Sequence, residues 1–236
     1  VDSCQLEDRT ADRIIVTIRK MLPQFKLTAY NERTGTGFLR HVLAKRSFTT
    51  GETMVVLVAA TPVFRSQRAF VAELVRRHPE ISTVILNIND KFTSLVLGKQ
   101  EKVLLGKGYI EDELCSCRFR ISAKSFYQIN PIQTQVLYST ALDFAGLTGT
   151  ESVLDAYCGT GTIGIAASRR AGRVAGVELN PEAVRDAIYN AKLNGVRNCW
   201  FTCADAGEFM QGMAEAGERA DVVFLDPPRA GSTEKF

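Results

Sequence analysis

The stretch Ser152–Gly164, "SVLDAYCGTGTIG", decides the fold. A short apolar run ends at Asp155, and Gly159, Gly161 and Gly164 then follow at G-x-G-x-x-G spacing. The residues "TIGIAASRRAG" come next and predict a helix. A strand, a glycine turn and a helix N-terminus in that order let backbone approach a nucleotide-like ligand closely. The rhythm repeats downstream: "RVAGVEL" predicts a strand, "PEAVRDAIYNAKLNG" a helix, "CWFTCAD" a third strand, residues 206–216 a helix and "DVVFLD" a fourth strand. Such alternation specifies a parallel, doubly wound α/β sheet with right-handed crossovers.

The glycine spacing is common to NAD, FAD and S-adenosylmethionine sites, so the neighbouring acids discriminate among them. Asp155 stands immediately before the loop, where it would repel a pyrophosphate but suit the cationic amino acid and sulfonium end of S-adenosylmethionine. Glu178 ends the second strand, placed to accept hydrogen bonds from ribose hydroxyls, and Asp205 and Asp226 end the third and fourth. Open α/β sheets bind ligands at this carboxyl edge. For Asp205 an adenine contact and a helix N-cap both fit. After Asp226, Pro227 and Pro228 fix the backbone and remove two donors, which holds the carboxylate toward the crevice.

Working outward, residues 117–236 are expected to form this domain and residues 1–116 a smaller α+β domain. In the latter, "LEDRTADRIIVTIRKML" predicts a helix over 6–22 that Pro23 stops. "GFLRHVLAKRSF" and "TMVVLVAAT" read as a hairpin, 66–78 as a helix, and 81–88, 93–97 and 101–105 as strands of an antiparallel sheet. "GKGYIEDE" reads as a turn-rich boundary, "CRFRIS" as a short strand. A helix opens at Asn130-Pro131 with Ile132, Val136, Leu137, Leu142 and Phe144 as its apolar positions.

Residues 1–120 hold 19 Lys and Arg against 13 Asp and Glu, and residues 121–236 hold 10 against 13. The basic front half fits a polyanion partner, with Arg40, Lys45, Arg46 and Arg118 as candidate phosphate contacts, although a solvated face explains the excess more simply. No apolar run reaches the roughly 20 residues that span a bilayer, and no signal peptide opens the chain; a cytoplasmic protein with no membrane partner is expected. The six cysteines include no C-x-x-C pair and suggest neither disulfides nor zinc; Cys158, Cys199 and Cys203 read as buried thiols.

"SFYQIN", "LDAYCGTGTIG", "GVELNPEAV" and "LDPPRAG", in this order and spacing, resemble the RNA uracil-5-methyltransferase family, in particular bacterial enzymes that form 5-methyluridine in 23S ribosomal RNA. The resemblance implies a Rossmann-like class I methyltransferase sheet, here incomplete, with S-adenosylmethionine as cofactor and RNA, foremost 23S rRNA, as partner. It implies cofactor contacts from Gln128, Tyr157, Gly159, Gly161, Glu178, Asp205 and Asp226. Family chemistry adds a cysteine thiolate to uracil carbon 6 and removes the carbon 5 proton with a glutamate. The resemblance implies that both residues lie beyond Phe236, so the chain reads as a fragment, inactive by itself and free to self-associate through its exposed fourth strand. Cys4 resembles one ligand of a family iron–sulfur cluster, expected only in a longer gene product. Alternatives are a methyltransferase for tRNA or another nucleic acid base, a nicotinamide dehydrogenase disfavoured by Asp155, and a non-enzymatic RNA-binding module built on residues 1–120.

Overall fold

The computed structural model describes residues 2, 4, 5, 8–229 and 231, and its chain divides into two compact units, one up to Glu111 and one from Asp112 onward. The expected boundary at 116/117 falls instead at the turn of a hairpin. That hairpin joins β5 (Ile110–Leu114) to β6 (Cys117–Ile121), and its turn residues Cys115 and Ser116 have φ of 51° and 58°. Two successive left-handed residues give the twist that a two-residue hairpin needs. β5 was hidden in the sequence because three of its five residues, Glu111, Asp112 and Glu113, are acidic, although Ile110, Asp112 and Leu114 are buried with strand periodicity.

The first unit is built on a four-stranded sheet in the order β1 (Leu39–Arg46), β2 (Thr53–Ala59), β3 (Ile81–Ile88), β4 (Gln100–Leu105). It is mixed, not antiparallel: β2 and β3 run parallel, joined by α2 (Gln67–Arg77). Every residue of β2 is buried, the unbroken apolar pattern of a strand covered on both faces. Helix α1 (Arg9–Gln24) is capped by Asp8, whose side chain accepts the Thr10 N–H at 2.7 Å, and it buries Ile14, Ile18 and Met21. Pro23 sits within its last turn and does not stop it; the helix runs one residue further. Leu6 and Glu7, the expected start, lie outside the described residues.

Residues 93–97 are not a strand. Asn89 Nδ2 donates to the carbonyls of Leu95 at 2.7 Å and Val96 at 3.1 Å, so the side chain takes acceptors that a sheet ladder would use. Arg40, expected on an RNA-facing surface, has a side chain only 1% exposed and donates to the carbonyls of Asn89 and Lys91 and to Glu32. It holds the 89–98 loop and is not presented to phosphates. Arg46 pairs with Asp8 at 3.1 Å.

In the second unit the sheet order is β10 (Val222–Leu225), β7 (Ser152–Ala156), β8 (Arg173–Glu178), β9 (Cys199–Cys203), parallel throughout. Thus the fourth strand of the motif lies beside the first. Side chains alternate across β7: Val153 packs with Leu142 of α3 (Pro131–Phe144) and Ala166 of α4 (Thr162–Ala167), whereas Leu154 and Ala156 pack with Ala206 of α6 (Ala206–Glu215). Helix α5 (Pro181–Leu193) joins β8 to β9 and contributes Ala191 to a cluster with Phe119, Tyr138 and Ile165. Helices therefore cover both faces. Of the five apolar positions of α3 only Leu142 is buried, beside Thr134 and Tyr138, while Ile132, Val136, Leu137 and Phe144 are 57%, 55%, 62% and 88% exposed. β10 is an edge strand with Val223 and Leu225 half exposed. Among the described residues no helix is long and apolar enough to cross a membrane.

Candidate functional site

The strand order sets the four acids in the sequence Asp226, Asp155, Glu178, Asp205 along the carboxyl edge of the second sheet. Between them the chain turns sharply out of β7. Tyr157 has φ of 61°, a left-handed conformation uncommon for a bulky residue, and Gly161, the N-cap of α4, has φ of 80°. A Cβ on Gly161 would also lie 2.7 Å from the Phe201 ring, so glycine is required there twice over. A strained non-glycine residue at a loop of this kind is the mark of a constrained site.

Side-chain carboxylates occupy the loop's backbone amides. Asp155 Oδ2 accepts the Gly164 N–H at 2.8 Å, and Glu178 Oε2 accepts the Gly159 N–H at 3.1 Å while its Oε1 accepts that of Asn180 at 2.8 Å. Asp155 is 1% exposed. Burial pushes its carboxyl up to about 7, the Gly164 hydrogen bond opposes this, and the neighbouring Asp226 and Glu178 charges add to the rise. Asp205 Oδ1 accepts the Gly207 and Glu208 N–H groups at 2.9 and 3.1 Å. It is the N-cap of α6, one of the two roles its position allowed.

One cleft of the second unit is lined by Gln128, Tyr157, Gly159 and Asp226, four of the seven expected contact residues, together with Asp155. Gly161, Glu178 and Asp205 are not among its lining residues. Phe126 also lines it and is 73% exposed, an aromatic face at the surface of an acidic cleft. The "SFYQIN" phrase therefore brings Phe126 to the cleft as well as Gln128. Tyr138 and Thr162 complete another wall, with the Tyr138 hydroxyl 3.2 Å from Thr162 Oγ1.

The cysteines of this unit divide by environment. Cys158 is buried in the loop, and burial together with the Asp155 and Glu178 charges pushes its thiol far above the ordinary value, so it is held as the unreactive thiol. Burial raises Cys199 to about 12. Cys203 is not the buried thiol expected: it ends β9 exposed, its Sγ 3.5 Å from the Leu179 carbonyl. In the other unit Cys4 is exposed, with its N–H donated to Asp12, and no group of three or more His, Cys, Asp or Glu able to hold a metal occurs among the described residues.

A family model described as "Conserved hypothetical protein 95" matches residues 133–235. An uncharacterized RNA methyltransferase of Clostridium acetobutylicum is 43% identical over 231 residues, covering 98% of this chain and 50% of the relative. An uncharacterized RNA methyltransferase of Halalkalibacterium halodurans is 41% identical over 234 residues, covering 99% of this chain and 51% of the relative. Among solved structures, the Pyrococcus abyssi tRNA (uracil-54, C5)-methyltransferase in complex with S-adenosyl-L-homocysteine superimposes with a TM-score of 0.77 at 24% identity, over 100% of this chain and 55% of that one. The chain spans about half the length of the curated relatives it matches. The likeness to the solved structure shows the fold: an α/β architecture of the Rossmann-like methyltransferase type.

Proposed function

We propose that this chain supplies the S-adenosylmethionine-binding part of an RNA methyltransferase, and that the intact protein methylates carbon 5 of uracil in RNA. The observation that carries this reading is the occupancy of the glycine loop. A dinucleotide site offers loop amides to phosphates. Here the Gly159 and Gly164 amides are donated to Glu178 and Asp155, and Asp226 adds a third carboxylate nearby. Such a cleft repels phosphate and attracts a cation.

The residues fit the cofactor. Asp155 and Asp226 would face its cationic amino acid and sulfonium end, Glu178 the ribose hydroxyls, and Asp205 the adenine amino group. Tyr157 would pack on it and Gln128 would line its methyl-bearing end. When bound, the cofactor offers a methyl group made electrophilic by positive sulfur. The chain's own residues then bind, orient and exclude phosphate. Adding a thiolate to uracil carbon 6 is not a task for Cys158, whose thiol burial keeps protonated. The relatives named as RNA methyltransferases support an RNA substrate, and the motif resemblance favours 23S rRNA. The tRNA specificity of the Pyrococcus enzyme keeps tRNA as the second reading.

Titration calorimetry of the chain with S-adenosylhomocysteine, with NAD as control, tests the cofactor reading. Saturable binding of S-adenosylhomocysteine that falls at least tenfold in Glu178→Ala, with none of NAD, is expected. Binding of NAD instead, or of neither ligand, overturns the proposal. The target is tested with the intact protein on unmodified 23S rRNA and tRNA transcripts, scoring 5-methyluridine in each.

A further inference from the structure

Two asparagines, Asn190 in α5 and Asn194 at its C-cap, treat β6 as a neighbouring strand would. Asn194 Oδ1 accepts the Arg118 N–H at 2.8 Å and its Nδ2 donates to the Arg118 carbonyl at 2.6 Å. One helical turn earlier, Asn190 Oδ1 accepts the Arg120 N–H at 2.7 Å and its Nδ2 reaches the Arg120 carbonyl at 3.5 Å. Residues four apart share a helix face, so the two side chains meet alternate backbone groups of β6. They differ in where the remaining donor goes. Asn194 Nδ2 returns to its own helix, to the Asn190 carbonyl at 2.8 Å, whereas Asn190 Nδ2 donates to the Thr160 carbonyl at 3.2 Å.

Thr160 lies between the first two glycines of the loop, lines the cleft and is 3% exposed; Asn190 is fully buried. In a helical turn the Thr160 carbonyl would accept from the amide four residues on, Gly164. That N–H is donated to Asp155. Buried carbonyls need donors, and Asn190 provides this one from outside the loop. The loop is thereby held from three elements: Glu178 of β8 at Gly159, Asn190 of α5 at Thr160 and Asp155 of β7 at Gly164.

We infer that Asn190 is a positioning residue for the cofactor loop, fixing the height of the Gly159–Gly161 backbone in the cleft and coupling it to the β6 strand. This rests on the cofactor reading above. Asn194 is the internal control, because it makes the same contacts to β6 and none to the loop. The full chain, Asn190→Ala and Asn194→Ala are compared by S-adenosylhomocysteine calorimetry and by amide exchange of residues 157–165 without ligand; Asn190→Asp, nearly isosteric, stands in if the alanine variant fails to fold. Both alanine variants lower the urea midpoint. Only the Asn190 variants weaken binding, by about tenfold as expected for loss of one buried hydrogen bond, and only they speed exchange in the loop. Equal effects of the two sites on affinity and exchange, or unchanged loop exchange in a folded Asn190 variant, overturn the inference. If the unsubstituted chain binds no S-adenosylhomocysteine, the cofactor reading fails, and the exchange comparison still decides whether Asn190 holds the loop.

Discussion

Each unit contains a buried polar side chain that accepts the N–H of a glycine, and the two are put to different use. In the first, Asn87 Oδ1 accepts the Gly98 N–H at 2.7 Å; in the second, Asp155 Oδ2 accepts that of Gly164 at 2.8 Å. Asn87 is neutral and its contacts are returned, with Nδ2 donating to the Gly98 carbonyl and to Glu101 Oε1, both at 3.0 Å. Asp155 is acidic, lies near two further carboxylates and is driven toward its protonated form by burial. Asn87 closes a loop and is complete. Burial favours adding a proton or a cation to Asp155, as expected of a group arranged for a ligand and not for the fold alone.

The sharpest way to break the comparison is Asn87→Ala. It strands both backbone groups of Gly98, a residue packed so closely that a Cβ on it would meet the Ile88 carbonyl at 1.8 Å. A loss of about 3 kcal/mol is expected from urea unfolding. S-adenosylhomocysteine affinity, measured below the unfolding transition, stays within twofold. A parallel fall in affinity would mean that the first unit contributes to the cleft.

The same contrast explains what could be read from the sequence. The second unit was legible because G-x-G-x-x-G and an acid at each strand end are local patterns that report directly on a ligand edge. The first unit depends on long-range choices. The stretch 54–59 is apolar throughout, compatible with a hairpin to β1, and nothing local revealed that β3 would pair parallel on its other side. Leu95, Val96 and Leu97 look like part of a strand until Asn89, several residues earlier, takes two of the carbonyls. Arg40 counted as surface charge until the 89–98 loop folded over it. In α3 the apolar spacing is helical, but of its five apolar positions only Leu142 is buried, since Tyr138 packs inward with its hydroxyl on Thr162. Buried polar side chains decide all but the first of these, and their partners are set by topology.

Asp155→Asn is the next test, with a smaller effect of mixed sign. Asparagine still accepts the Gly164 N–H and removes a buried negative charge. The folded-state pKa of Asp155, about 7, lies above the ordinary 3.8, so the native state binds a proton that the unfolded chain has released. Stability contributed by this group is present below about pH 4 and is lost as pH rises through 7. Above pH 7 the variant should therefore be more stable than the parent, the difference vanishing near pH 4. S-adenosylmethionine should bind it at least tenfold more weakly, and proton release on binding near pH 7, seen by calorimetry in buffers of different ionisation heat, should disappear. A variant that is less stable at pH 8 would show that the carboxylate is structural, like Asn87.

The smallest effect separates the two roles of Asp205. Its Oδ1 caps α6, so Asp205→Ala should cost about 1 kcal/mol. Asparagine keeps a capping oxygen, and its stability should match the parent within about 0.5 kcal/mol. If Oδ2 also receives the adenine amino group, Asp205→Asn loses affinity severalfold without losing stability, because an amide donor now faces another donor. The hypoxanthine analogue of S-adenosylhomocysteine, which has a carbonyl in place of that amino group, should then bind Asp205→Asn better than it binds the parent, reversing the order for adenine. Parent-like affinities for both ligands would make Asp205 a cap alone. Base reading would then rest on other groups, and only Asp155, Glu178 and Asp226 of the four acids would remain candidates for ligand contact.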